Sequence, residues 1–596
     1  MNYTKRLTAA LFMGGLFQAS AMEPGKSQTL TSPEQVPEGL TASDWSSIRS
    51  AYAAGVTSQQ AYLKASNTGA LDNFGISVAV AGDTVVVGAH REDSSTTGVN
   101  SVSNEAASES GAAYVFVRSG NSWSQQAYLK ASNTGAGDNF GMSVAVAGDT
   151  VVVGAYLEDS STTGVNSVSN EAASQSGAAY VFVRSGSSWS QQAYIKASNI
   201  SAGDQFGTSV AVAGDTVVVG ALAEDSSTTG VNSVSDEAAN LSGAAYVFVR
   251  SGSTWDQQAY LKASNTNVDD QFGVSVAVAG DTVVVGANLE DSSTTGVNSV
   301  SNEAVSQSGA AYVFVRSGST WSQQAYLKAS NTGAFDQFGV SVAVAGDTIV
   351  AGAFGEGSST TGVNSLPNEL ASGSGAAYVF IRSGSTWSQQ AYLKASNTGA
   401  NDYFGTSVAV AGNTIVVGAL GESSSTTGVN SVPNQAASQS GAAFVFIRSD
   451  GNWSQQGYLK ASNTGASDFF GVSVAVSGST FISGSQQEDS ITTGVNSVPN
   501  EAASGSGAAY IFTLPVAEPP PVVVKYLVKV KVSNTKFGKV TGSGSFNTGS
   551  KVVLKATAKK GHRFLGWFEK KKLVSKNRVL VINKLTKNRS LAVEFK

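Results

Sequence analysis

Residues 72–90 read DNFGISVAVAGDTVVVGAH, and residues 138–156 read DNFGMSVAVAGDTVVVGAY. The Phe-Gly pair recurs at Phe74, Phe140, Phe206, Phe272, Phe338, Phe404 and Phe470, sixty-six positions apart each time. A fixed period of this kind marks a repeat architecture in which each unit buries its apolar faces against its neighbours. Within the unit, FGISVAVAG alternates Val78 and Val80 with small residues, and TVVVGA is the continuous apolar run of a strand buried on both faces. GAAYVFVRSG and WSQQAYLKAS complete four strands, with Gly82-Asp83 and Ser119-Gly120-Asn121 as the hairpin turns.

A loop of 21 residues, His90 to Ser110, separates the second strand from the third and leaves 45 residues per unit. That length suits a four-stranded propeller blade of about 40 to 50 residues. Gly density and period-two strands disfavour a helical solenoid. The expected fold is all-β, a seven-bladed propeller over residues 59–513. Its outermost strand occurs first at Gln59 to Ser66, ahead of any blade, while the last GAAYIF, Gly507 to Phe512, has no WSQQAYLKAS after it. The N-terminal strand is therefore expected to complete the seventh blade and to remove a free sheet edge.

FG followed by VVVGA and SGAAYVF resembles the FG-GAP repeat, the blade unit of the integrin α-subunit propeller and of many bacterial secreted proteins. The Pro of GAP is replaced here by His90, Tyr156, Leu222, Asn288, Phe354, Leu420 and Gln486. The resemblance implies calcium in an acidic loop of the form D-x-D-x-D-G, where alternate oxygens wrap a hard cation. EDSSTTGVNS occupies that loop here. Asp93, Ser95 and Thr97 stand at the first, third and fifth positions, repeated as Asp159, Ser161 and Thr163, Asp225, Ser227 and Thr229, and Asp291, Ser293 and Thr295. With one carboxylate per loop, any calcium is expected to bind weakly; the same residues also suit a Ser/Thr turn closed by side-chain to backbone hydrogen bonds.

Asp72 and its six copies, each two residues before Phe-Gly, are expected to cap a turn. Sevenfold copies do not supply the differing roles that catalysis needs, so no catalytic residue is assigned. His90, alone in the propeller, reads as a solvated loop histidine without an orienting partner. Positions that vary between copies carry His90, Tyr156, Phe335, Phe354, Tyr403 and Phe469, and exposed aromatics at loop ends make a recognition surface. Repeat drift accounts for the same variation.

Composition and charge frame these features. Charged residues are 13% of 596, cysteine is absent, and the net charge is −5. Residues 522–596 hold 19 Lys and Arg against Glu569 and Glu594, a net of +17, which leaves −22 for residues 1–521. Residues 1–21 read as a signal peptide, with Lys5 and Arg6 before an apolar stretch and Ala19-Ser20-Ala21 as the cleavage site. Residues 22–58 form an extension, and 514–524 a Pro-rich linker. No later segment is long enough to span a bilayer.

Residues 525–596 are similar to the divergent internalin B-type repeat in the order VTGSGSF, GHRFLGW and LAVEF, with Trp567, Phe564 and Phe595 as its expected core. Their basic charge suits an anionic surface polymer; with no recognised nucleic-acid motif, nucleic acid ranks last. The expectation is an exported, non-enzymatic binding or adhesion platform, secreted or at the bacterial cell surface, for an extracellular protein or glycan. The alternatives are a hydrolase of glycans or lipids, or an accessory propeller of one, and a structural matrix or coat protein.

Overall fold

The computed structural model describes residues 58–513, 525–547 and 550–596; the expected signal peptide, nearly all of the extension and the linker lie outside them. The chain divides into two compact units, Met1–Pro515 and Val516–Lys596.

The first unit holds seven antiparallel sheets, one per repeat. In the first blade the strands are Val78–Ala81, Thr84–Ala89, Ala112–Ser119 and Ser122–Leu129, in that spatial order from inside to outside. The second strand is buried throughout because it pairs on both sides and meets a neighbouring blade on both faces. One core cluster joins Val86, Val115 and Leu129 of the first blade to Phe140, Tyr180 and Phe182 of the second. Each core thus belongs to a seam between blades, so a single blade has no core of its own.

The Phe-Gly pair builds the seam. Gly111 of the first blade bridges backbone to backbone with Phe140 of the second. Phe140 then sets its ring edge-on to Tyr180 and Phe182, at 5.3 and 6.1 Å. On the hairpin end, Arg184 lies over Trp189 at 5.3 Å, pairs with Asp149 at 2.6 Å and donates to Thr84 of the preceding blade. Trp189 Nε1 donates to Gln126 of that same blade.

The strand Ser58–Leu63 lies in the sheet of the seventh blade, paired antiparallel with Ala508–Thr513. Tyr62 is opposite Tyr510, and Leu63 opposite Ala509. Ala61 and Leu63 share a cluster with Phe74 and Tyr114 of the first blade and Ile511 of the seventh.

Blades four to six differ from the four-stranded expectation. Two-residue strands at Gly296–Val297, Gly362–Val363 and Gly428–Val429 add to the outside of their sheets. They come from the long loop, which doubles back to the outer strand, as with Gly296 opposite Lys328.

One substitution in the sixth blade leaves a gap in an otherwise regular network. Tyr246 Oη donates to Asn199 Oδ1 at 2.9 Å, and the equivalent tyrosines do likewise. Phe444 takes that place in the sixth blade, and Asn397 Oδ1 is left buried without a donor. Phe444→Tyr is expected to raise stability by about 0.5–1.5 kcal/mol, and Tyr246→Phe to lower it by a similar amount, in thermal or denaturant unfolding.

The second unit has two sheets: a five-stranded one built around Lys525–Val532, Arg589–Phe595 and Phe564–Glu569, and a three-stranded one of Gly538–Thr541, Val552–Ala558 and Val579–Ile582. Trp567 and Phe595 are buried between them with Leu554 and Val593, and Phe564 packs at the edge. This matches the core expected from the aromatic pattern.

Candidate functional site

Register places the chemistry at one end of the blades. Phe206 pairs with Ala221, Ala221 with Ala244, and Ala245 with Leu261. The Phe-Gly pairs, the long loops and the connections between blades therefore emerge together, and both hairpin turns emerge at the opposite end.

Each long loop is held by its own side chains. Asn100 Oδ1 accepts from Tyr128 N and Asn100 N donates to Tyr128 O, at 2.9 and 2.8 Å, which carries the loop to the outer strand. Asp93 Oδ1 accepts from Glu109 N at 2.7 Å. Ser95 donates from N and Oγ to Asn104 Oδ1. Asp159, Asp225 and Asp291 cap the equivalent amides, Ser161 and Ser293 repeat the Ser95 bonds to an asparagine, and Ser227 donates to both oxygens of Asp236. In the sixth blade Ser423 Oγ accepts the same amide in place of the acid. Thr97, Thr163, Thr229 and Thr295 are exposed.

These bonds decide the fit to calcium. A calcium shell takes six to eight oxygens, chiefly carboxylate and carbonyl. Here the one acid of each Asp-Ser-Thr set spends Oδ1 on a backbone amide, its serine is a donor, and in the sixth blade a serine replaces the acid without loss of the bond. The donor set suits a hydrogen-bonded loop and does not fit a calcium shell. Among the described residues, no three His, Asp or Glu side chains gather as metal ligands.

The variable positions do come together. The residue after Gly-Ala of one blade meets the residue before Phe-Gly of the next: Asn288 Nδ2 donates to Gln337 Oε1 at 3.2 Å, and Phe354 meets Tyr403 edge-on at 5.8 Å. Phe335, Phe354, Tyr403 and Phe469 thus fall on consecutive blades, five to seven. Phe335, Tyr403 and Phe469 hold φ of 65°, 55° and 57°, a left-handed backbone that is costly for bulky side chains. Backbone bonds fix it, Phe335 N to Ser306 O and Tyr403 N to Gly373 O, both 2.9 Å.

Exposure differs from the sequence expectation. Phe335 is 59% exposed. Tyr156, Phe354, Tyr403 and Phe469 are half-buried, Phe354 and Tyr403 because they lean on each other across a seam. His90 is buried rather than solvated, with Nδ1 unpartnered, since its position folds into the same seam. Burial, with Arg91 beside it, pulls its pKa down to about 4, so it is neutral at physiological pH.

The Asp72 set caps turns as expected: Asp72 Oδ2 accepts from Gly69 N, and Asp270 Oδ2 from Asn267 N. Burial, with Glu290, Glu303 and Asp291 nearby, pushes Asp270 up to about 8. Its folded state then holds a proton that the unfolded chain releases near pH 4, so this group's stabilisation is full below pH 4 and lost as pH rises towards 8. Asp270→Asn keeps an acceptor for Asn267 N and removes the titration. Its thermal midpoint is expected to exceed that of the parent at pH 8 and to show no such gain at pH 4.

Sequence reasoning missed two repeated features. The Lys of LKAS and the Glu of the long loop form a buried ion pair in every blade, as with Lys130 and Glu92 at 2.9 Å, both essentially without solvent contact. A lysine ending an apolar strand seven times over was the available signal. The second is an exposed aliphatic at one repeated position of every long loop, Val102 and its copies through Val498, between 84% and 89% exposed. No helix among the described residues is long and apolar enough to cross a membrane.

Models of known families match both units. The divergent InlB B-repeat domain matches residues 528–596. The FG-GAP repeat matches seven times, at 57–116, 123–182, 189–248, 255–314, 321–380, 387–446 and 453–512. No curated protein matches the chain significantly. Among solved structures, a putative 6-phosphogluconolactonase from Bacteroides uniformis is similar at 10% identity and a TM-score of 0.34, over 65% of this chain and 87% of that one. Seven consecutive matches, each holding its own Phe-Gly latch, place the chain in the FG-GAP repeat family.

Proposed function

We propose that the protein is an exported, non-enzymatic binding platform, secreted or at the cell surface, that takes up an extracellular protein or glycan on the Phe-Gly end of blades five to seven. The observation that carries this reading is the rigid aromatic sector: Phe335 projecting from a left-handed backbone, with the Phe354–Tyr403 pair on the next seam. Aromatic side chains on a fixed frame supply contact area at little entropic cost, and they concentrate binding energy at interfaces. The combination of an FG-GAP propeller with a divergent internalin B-type module supports a role outside the cytoplasm. His90, the one histidine of the propeller, is buried without a partner to orient it, which argues against general-base work there.

The test is a panel of glycans and matrix proteins probed with the full chain and with Phe335→Ala/Phe354→Ala/Tyr403→Ala. Saturable binding that weakens by about tenfold or more in the variant, and that survives a chelator, supports the reading. Binding indifferent to the three substitutions moves the site elsewhere, and turnover of a panel member makes the protein a hydrolase.

A further inference from the structure

Residues 570–579 of the C-terminal unit read KKKLVSKNRV, and every one except Ser575 is exposed. Lys570 and Lys571, with φ of 48° and 66°, turn the hairpin between Phe564–Glu569 and Lys572–Ser575. Leu573 and Val574 follow directly, 45% and 42% exposed. A second exposed set lies on the three-stranded sheet. There, period-two alternation sends Val552, Leu554 and Ala556 into the core and leaves Val553 and Lys555 outside. Val553 lies opposite Val581, and Lys555 opposite Val579, so one face carries three exposed valines beside lysine.

Lysines and exposed aliphatics are thus interleaved at both places, within residues 522–596 of net charge +17. The charge calls for an anionic partner. The aliphatics call for more, because a soluble polyanion offers them nothing to enter. A single-stranded nucleic acid would be met by exposed aromatics on which bases stack. Among the described residues of this unit, Trp567 and Phe595 are buried and the other aromatic rings are at most half-exposed. Lysines flanking exposed aliphatic side chains are the pattern of a surface lying at a lipid interface, with ammonium groups at the headgroup phosphates and aliphatic tips at the acyl boundary.

We propose that this strip is a contact surface for anionic lipid, with the hairpin tip of Leu573 and Val574 as its apolar anchor. It stands independently of the propeller's ligand.

The experiment is flotation of the full chain with vesicles of phosphatidylcholine alone and of phosphatidylcholine mixed with phosphatidylglycerol. The expected result is binding to the mixed vesicles only, falling with salt. Lys570→Glu/Lys571→Glu/Lys572→Glu and, separately, Leu573→Ser/Val574→Ser are each expected to lower the partition coefficient by about tenfold or more. Leu573→Thr/Val574→Thr keeps strand propensity and is expected to act in the same direction, which separates lost contact from lost folding. Absence of binding to mixed vesicles overturns the proposal. So does vesicle binding that Leu573→Ser/Val574→Ser leaves unchanged, alongside equal capture by duplex DNA or a soluble polyanion, since the strip would then be reading charge alone.

Discussion

Lys64→Met is expected to destabilise the propeller by about 3–5 kcal/mol and to release its first strand. Lys64 Nζ lies 2.9 Å from Glu488 Oε2 with both side chains essentially free of solvent, and it also donates to Ser506 Oγ and Gly507 O. Burial pulls the lysine's pKa down while Glu488 opposes that shift. An intact buried pair of this kind contributes little net stability, because desolvation offsets attraction. Removing one partner is different: Glu488 stays buried with Tyr62 Oη and Asn463 Nδ2 as donors, and no cation is left beside it. A control isolates the role of chain connection. Lys262→Met breaks the equivalent pair with Glu224 in the third blade, whose outer strand Thr254–Leu261 is joined by a hairpin to its neighbour Ala244–Ser251. Strand Ser58–Leu63 has no such hairpin, since its partner Ala508–Thr513 belongs to the last of the seven repeats. Both variants should melt earlier, but only Lys64→Met should expose amides 58–66 to fast hydrogen exchange. Protection of those amides at the parental level in Lys64→Met would mean that strand pairing alone holds the first and last repeats together.

The same blade shows what sequence could and could not supply. The period of Phe-Gly, the four strands and the orphaned copy at Gln59 to Ser66 were all legible, because they depend on alternation and on counting. The ion pair was not, because Lys64 and Glu488 are brought together only by the pairing that the count implies. Local rules also misread positions whose surroundings belong to another blade. His90 looked solvated because its own loop is polar, yet the seam buries it. Tyr156 and Phe469 looked exposed for the same reason and are half-buried. The long loop's return to the outer strand escaped detection because Asn100 and its copies direct it through side-chain bonds to a strand almost thirty residues away. Phe335 is exposed as expected, while Tyr403 and Phe469, equally left-handed, lie half-buried, so backbone conformation alone does not set exposure. In a propeller the neighbour that decides burial sits one period away in sequence, so patterns within a single repeat establish strands and leave side-chain environments open.

Gly286→Ala is expected to cost about 3 kcal/mol or more, against about 1 kcal/mol for Gly280→Ala in the same blade. The two glycines meet different constraints. Gly280 turns the first hairpin at φ 56°, and a β-carbon there would have open space around it. Its substitution carries only the strain of a left-handed alanine. Gly286 ends the second strand where the next blade comes closest, and a β-carbon on it would overlap the carbonyl oxygen and carbon of Gly339. Those are backbone atoms of the following Phe-Gly latch, so no rotamer change relieves the overlap. Gly339 itself, at φ 91°, has Ala310 O pressed against its other side. The fourth and fifth blades must therefore separate, and the bridge from Gly309 to Phe338 is broken as they do. Overpacking a seam from the backbone exceeds the usual 1–3 kcal/mol range for side-chain overpacking because the structure has no soft member to yield. Gly88, Gly154, Gly352, Gly418 and Gly484 meet the same overlap at their own seams, so each is expected to reproduce the effect. A denaturation midpoint for Gly286→Ala within error of that for Gly280→Ala would show that the blades can slide apart cheaply. The Phe-Gly latch would then not be what fixes their spacing.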